Sequence, residues 1–117
     1  NVIKGHSSYG IYLNYGYGDI IENIIINNGT YGISLYAYDG DCEVRNNTIN
    51  VHSEYGLYWY SYSSSSYTLD AINNSITNNQ QGIYCNNGEE PIPLATITAG
   101  TTPMGTTKAV CPLERVT

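Results

Sequence analysis

The chain has 117 residues, about one ordinary domain in length, and at 41% hydrophobic it has enough apolar side chains for a core. Only 12% of the residues are charged, with a formal net charge of −6 and four Lys and Arg in all; so few cations cannot neutralise many phosphates, which argues against nucleic acid and anionic lipid as partners. No apolar run approaches the roughly 18 residues of a membrane helix, so no membrane insertion is expected, and three cysteines without CxxC spacing give neither a disulfide framework nor a zinc site.

Taken in order, the chain repeats two phrases. It opens on Asn1-Val2-Ile3-Lys4, and then reads Gly10-Ile11-Tyr12-Leu13. Next comes Glu22-Asn23-Ile24-Ile25-Ile26-Asn27, followed by a second glycine phrase, Gly32-Ile33-Ser34-Leu35. The pair recurs as Arg45-Asn46-Asn47-Thr48-Ile49-Asn50 with Gly56-Leu57-Tyr58-Trp59, and as Ile72-Asn73-Asn74-Ser75-Ile76-Thr77 with Gly82-Ile83-Tyr84-Cys85. Successive glycines stand 22, 24 and 26 residues apart. The opening four residues match the end of the second phrase, so the sequence enters a repeat partway and reads as a piece of a longer chain.

Inside each phrase apolar residues alternate with period two, which marks strands rather than helices. A unit of this size cannot bury its own apolar face, but a stack of such units can. Stacking at roughly 4.8 Å turns each repeat position into a column. The predicted inward columns are Ile11/Ile33/Leu57/Ile83, Leu13/Leu35/Trp59/Cys85, Ile3/Ile26/Ile49/Ile76 and Ile21/Val44/Ala71. Asn23, Asn46 and Asn73 are expected to form a further column at a bend, bonding the backbone of neighbouring coils. The repeated glycines imply either positive φ or a crowded corner.

These phrases resemble the repeat of right-handed parallel β-helices of the pectin-lyase-like superfamily, in its Asn-rich form. The resemblance covers about residues 1–88 and implies an all-β, single-stranded parallel solenoid of about four coils of 22–26 residues. It also implies an extracellular, periplasmic or cell-surface location, with further β-helix coils of the parent chain as neighbours. Residues 89–117 turn rich in Pro, Thr and Gly. They read as a linker, a cap or the start of a following β-domain, with Ala95–Thr98 and Ala109–Cys111 as short strands.

Tyrosine supplies the main candidate site: the chain has thirteen and no phenylalanine. Tyr12, Tyr58 and Tyr84 take the outward position of the glycine phrase, with Ser34 interrupting the column. Beyond them come the pairs Tyr15/Tyr17, Tyr36/Tyr38 and Tyr60/Tyr62. Stacked, they form an aromatic stripe suited to sugar rings, so a polysaccharide or glycan is the expected partner. A mere stiffening of the surface by ring pairs is the alternative.

Asp41, Glu43 and Asp70 are the candidate metal ligands. Glu43 and Asp70 fall in one column, and carboxylates that close raise a pKa or recruit a cation, with calcium as the suggested cofactor. Glu22 is expected to pair with Arg45. The superfamily's lyases use a basic residue and calcium, and its hydrolases use clustered Asp; neither set maps onto this chain, and no catalytic residue is assigned. An enzyme fragment acting on polysaccharide and an adhesin-type scaffold stand as alternative functions. His6 and His52 read as polar corner residues, Cys42 and Cys85 as inward-facing hydrophobes. The insertion Ser61–Tyr67 reads as a surface loop.

Overall fold

The structure, a computed structural model, describes residues 1–61, 69–86, 95–97, 102–103 and 114–116; for 37–39, 61, 85–86 and the last three stretches it describes the backbone alone. The Ser61–Tyr67 insertion apart from its first residue, the Ala109–Cys111 strand and the side chains of Tyr38, Tyr62 and Cys85 lie outside that description.

Every described element is a strand and every pairing is parallel. One sheet stacks β1 (Val2–Lys4), β3 (Ile24–Ile26), β5 (Thr48–Asn50), β8 (Ser75–Thr77) and β11 (Thr102–Pro103) in that order. The other is bent and makes two faces. On the first, β2 (Tyr9–Ile21), β4 (Tyr31–Arg45), β6 (Tyr55–Ser61) and β9 (Gln81–Asn86) pair through their glycine phrases. On the second, the later half of β2 pairs with that of β4, which pairs in turn with β7 (Leu69–Ile72), followed by β10 (Ala95–Ile97) and β12 (Glu114–Val116). The result is a three-faced all-β solenoid of about three turns, Gly10 to Gly32 to Gly56 to Gly82. Three short strands within residues 95–116 add further parallel rungs to both sheets.

The core is a set of aliphatic columns. Ile33, Leu57 and Ile83 are fully buried in one, and Leu35 and Trp59 in the next. Each such side chain contributes about 1.5–3 kcal/mol by leaving water. Their first-rung equivalents Ile11 and Leu13 are only partly buried. The other two expected columns each move by one residue. The register runs Ile3, Ile25, Ile49, Ile76, and Ile20 rather than Ile21 lines up with Val44 and Ala71. Runs of two and three isoleucines carry no alternation, so the sequence there does not declare which one points inward.

The repeated glycines are needed for space, not for left-handed backbone. A Cβ on Gly32 would lie 2.6 Å from the Gly56 carbonyl oxygen and 2.6 Å from Ile49 Cγ2. Gly10 and Gly56 meet the same crowding. Apart from Tyr15 and Gly18, positive φ among the described residues falls on two corner columns: Glu22, Asn46 and Asn73 at one, Gly5, Asn27, Val51 and Asn78 at the other.

One residue past each left-handed corner runs a buried polar ladder. Asn23 N–H and Nδ2 both donate to Asn47 Oδ1, at 2.9 and 3.1 Å, and Asn47 repeats this with Asn74 Oδ1 at 3.0 and 3.1 Å. The amide nitrogens of Asn47 and Asn74 then donate to the Ile20 and Val44 carbonyls at 2.8 and 2.7 Å. The ladder is therefore Asn23/Asn47/Asn74, not the expected Asn23/Asn46/Asn73; Asn46 and Asn73 are the exposed corner residues themselves. Bonds of this kind satisfy backbone groups that the turn would otherwise bury unpaired.

Candidate functional site

The glycine-phrase face is paved with tyrosine. Its middle column holds Tyr12, Ser34, Tyr58 and Tyr84 in register, as the sequence implied. A column that the sequence reading missed holds Tyr9, Tyr31 and Tyr55, each directly before a repeated glycine. Strict alternation would send these rings inward. The corner at the glycine reverses the parity, because Gly56 and Leu57 are both buried while Tyr55 and Tyr58 share the outer face with ring centroids 5.4 Å apart. A third column holds Asn14, Tyr36 and Tyr60. The Tyr-Gly dipeptides were the signal that could have revealed the second column.

The rings stack along the solenoid axis: Tyr9 on Tyr31 at 5.0 Å, Tyr31 on Tyr55 at 5.4 Å, Tyr58 on Tyr84 at 5.4 Å. Within these pairs the rings lie face to face, while Tyr9 and Tyr12 keep exposed ring area. Burial, with the Glu54 carboxylate second, pushes the Tyr31 and Tyr55 phenols above the usual range; burial does the same at Tyr36, with its tyrosine neighbours second. Ser34, on the same outer face, is only 1% exposed, and its Oγ has no hydrogen-bond partner among the described residues.

Tyr15 and Tyr17 do not join the columns. Asn14 takes the Tyr36 register, and the strand then bulges, with Tyr15 at φ 55°. Tyr17 lies over Gly40, whose Cβ would fall 2.5 Å from Tyr17 Cγ. At this corner one residue separates the paired halves of β2, whereas four residues, 38–41, separate those of β4.

On the adjoining face Asp19, Glu43 and Asp70 occupy consecutive rungs, so the expected Glu43–Asp70 neighbourhood is present and Asp19 joins it. Arg45 Nε donates to Glu43 Oε1 at 2.8 Å. Its ion pair is with Glu43 and not, as expected, with Glu22: Ile21 shares its rung, and Glu22 meets Arg45 through the backbone, N–H to carbonyl at 3.0 Å. Asp41 is exposed beyond Cys42. Among the described residues no group of three or more His, Cys, Asp or Glu side chains is placed to hold a metal ion. Cys42 is a free, buried thiol, and burial pushes its pKa up.

The second polar ladder runs His6, Asn28, His52, Asn79. The His6 N–H donates to Asn28 Oδ1 at 3.1 Å and the His52 N–H to Asn79 Oδ1 at 2.9 Å. His6 and His52 are thus corner residues as expected, but His52 is buried and carries ladder bonds. Asn28 stands four residues before Gly32, as His6 and His52 do before theirs, and that shared spacing is where the sequence announced the ladder. A shallow open groove of about 440 Å³ passes His6, Asn28 and His52.

A parallel solenoid with asparagine ladders at its corners and one aromatic face defines a β-helix module. The family model for the right-handed beta helix region matches residues 1–98, and the chain belongs to that family. Neither the curated proteins nor the solved structures yielded a match to this chain.

Proposed function

We propose that this β-helix module contacts carbohydrate through its tyrosine face, as a non-catalytic segment of a secreted or cell-surface protein. The supporting observation is the three outward columns, in which phenol rings of successive rungs lie 5.0–5.4 Å apart. Such a surface offers apolar ring area and a lattice of hydroxyls together, which is what the amphipathic face of a sugar matches. The net charge of −6 favours neutral over acidic glycans.

A neutral glycan array compares the wild type with Tyr12→Ala/Tyr58→Ala. Binding by the wild type that falls at least tenfold in the double variant is the expected result; equal binding by both sinks the reading.

A second reading, a fragment of a polysaccharide lyase or glycoside hydrolase, draws on the Asp19, Glu43 and Asp70 rungs. Release of unsaturated or reducing products, with and without calcium, and its loss in Asp70→Asn, would favour that reading over binding alone.

A further inference from the structure

We propose that Ser34 is the floor of a one-ring slot that receives the terminal sugar of a neutral glycan. This rests on the carbohydrate reading and assigns it a place. In the middle column Tyr12 and Tyr58 stand one rung to either side of Ser34. They are therefore two strand spacings apart, roughly 9.6 Å, which is the room one more ring would take in a column stacked at roughly 4.8 Å. Ser34 supplies no ring.

The gap is closed by its neighbours' edges. Tyr36 meets Tyr12 at 5.9 Å with planes 80° apart and Tyr58 at 6.1 Å and 46°, and Tyr31 meets Tyr58 at 5.7 Å and 70°. These edge-on and tilted contacts differ from the stacked pairs Tyr9–Tyr31, Tyr31–Tyr55 and Tyr58–Tyr84, and the outward-facing Ser34 between them is 1% exposed. Tyr31 and Tyr36 are half-buried, and a sugar enters the slot when their rings swing aside. What they cover is a hydroxyl with no partner among the described residues. Buried polar atoms are nearly always paired, and the exceptions call for an explanation.

A pyranose fits both demands. Its two C–H faces lie against Tyr12 and Tyr58, and one of its hydroxyls pairs with Ser34 Oγ. A plain hydrocarbon ring would fill the gap and leave the oxygen orphaned. Tyr31 and Tyr36 flank Ser34 along its own strand, so a glycan cannot run through the slot along the sheet and can leave only outward. The slot therefore takes a chain end. Glu54 beside Tyr31 and Tyr55 makes a uronate an unfavourable occupant.

The test uses methyl glycosides of glucose, galactose, mannose and N-acetylglucosamine, followed by saturation-transfer NMR and titration, with melting temperature as the control for folding. Expected is binding of at least one glycoside by the wild type. Ser34→Tyr, which fills the slot with the missing ring, weakens it at least tenfold with no loss of melting temperature. Ser34→Ala, which keeps the slot but removes the hydroxyl, weakens it about fivefold, the worth of one hydrogen bond. If Ser34→Tyr does not fold, Ser34→Ala decides alone, and unchanged affinity overturns the proposal. So does Ser34→Tyr binding as the wild type does, or an affinity that follows chain length rather than chain ends. Glycan binding lost in Tyr12→Ala/Tyr58→Ala yet intact in Ser34→Tyr removes the slot and keeps the carbohydrate face. A wild type that retains no glycan removes both.

Discussion

His52 Nδ1 lies 2.7 Å from Asn79 Oδ1, in a ladder where the neighbouring rungs carry asparagine. The same Asn79 oxygen accepts the His52 backbone N–H, and the Asn79 amide nitrogen donates to the Ile49 carbonyl, so the amide orientation is fixed. Nδ1 must therefore carry the proton. Nε2 faces the Asn28 amide nitrogen at 3.4 Å, a donor, and stays unprotonated. Burial holds the His52 pKa below its ordinary 6.5, with the Asn79 bond opposing.

Acid should therefore loosen the solenoid before its carboxylates titrate. A histidine with a depressed folded pKa binds its proton more readily when unfolded, so stability is complete above pH 6.5 and falls as the pH drops below it. The melting temperature of the wild type is expected to decline between about pH 7 and pH 5, above the carboxylate range. His52→Asn places at this rung the residue used at 28 and 79, and should flatten that decline. An equal slope in both proteins would remove His52 as the cause.

Val51 is the one β-branched residue among the described left-handed positions, at φ 61°, in a column otherwise held by Gly5, Asn27 and Asn78. A left-handed L-residue costs roughly 1–2 kcal/mol, and asparagine and glycine are the residues that visit the region routinely. The side chain is 49% exposed, so little packing opposes a change. Val51→Asn is expected to stabilise by about 1 kcal/mol in denaturant unfolding. A loss of stability would show that the valine packs better than its exposure implies.

Gly32 separates crowding from backbone conformation. Gly32→Ala drives a Cβ against the Gly56 carbonyl and the His52 ring, 3.0 Å from Cε1, with backbone on one side that cannot swing away. Its cost is expected at about 3 kcal/mol, the upper range for overpacking. At Gly16 the nearest atom is Leu13 Cδ1 at 3.1 Å, the end of a flexible side chain, and Gly16→Ala should cost less than about 1 kcal/mol. Thermal melts of the two variants make the comparison.

The architecture was legible because the glycine phrases alternate cleanly: Gly-Ile-x-Leu and its copies give strand, stacking and the Tyr12/Tyr58/Tyr84 column at once. What alternation does not encode was lost. Ile24-Ile25-Ile26 and Ile20-Ile21 offer several apolar candidates for one inward position, and the columns came out one residue away. The Tyr9/Tyr31/Tyr55 column depends on a corner that reverses parity, which no strand pattern displays. Tyr15 and Tyr17 left the stripe because a bulge follows Asn14. Ser34 looked like a break in a ladder; in the structure its hydroxyl is buried, which a strand pattern does not display.

That one-residue shift has a consequence measurable at Asn46 and Asn47. Adjacent and chemically identical, they do opposite work. Asn47 is buried, and its side chain serves both Asn23 donors and the Ile20 and Arg45 carbonyls. Asn47→Ala leaves several of these groups buried without partners, at roughly 1–3 kcal/mol each, so a loss of about 3 kcal/mol or more is expected. Asn46 is exposed at φ 57°, and its side-chain bond is to Asn73 at 2.9 Å on the surface. Asn46→Gly keeps the left-handed corner available and gives up only that exposed bond, for a change within about 1 kcal/mol. Asn46→Ala forces a Cβ residue with no local hydrogen bond into the same corner and should cost about 1–2 kcal/mol. Urea unfolding of the three variants orders them Asn47→Ala, Asn46→Ala, Asn46→Gly from worst to mildest. If Asn46→Gly proved as damaging as Asn47→Ala, the corner column and not the inner one would be carrying the ladder.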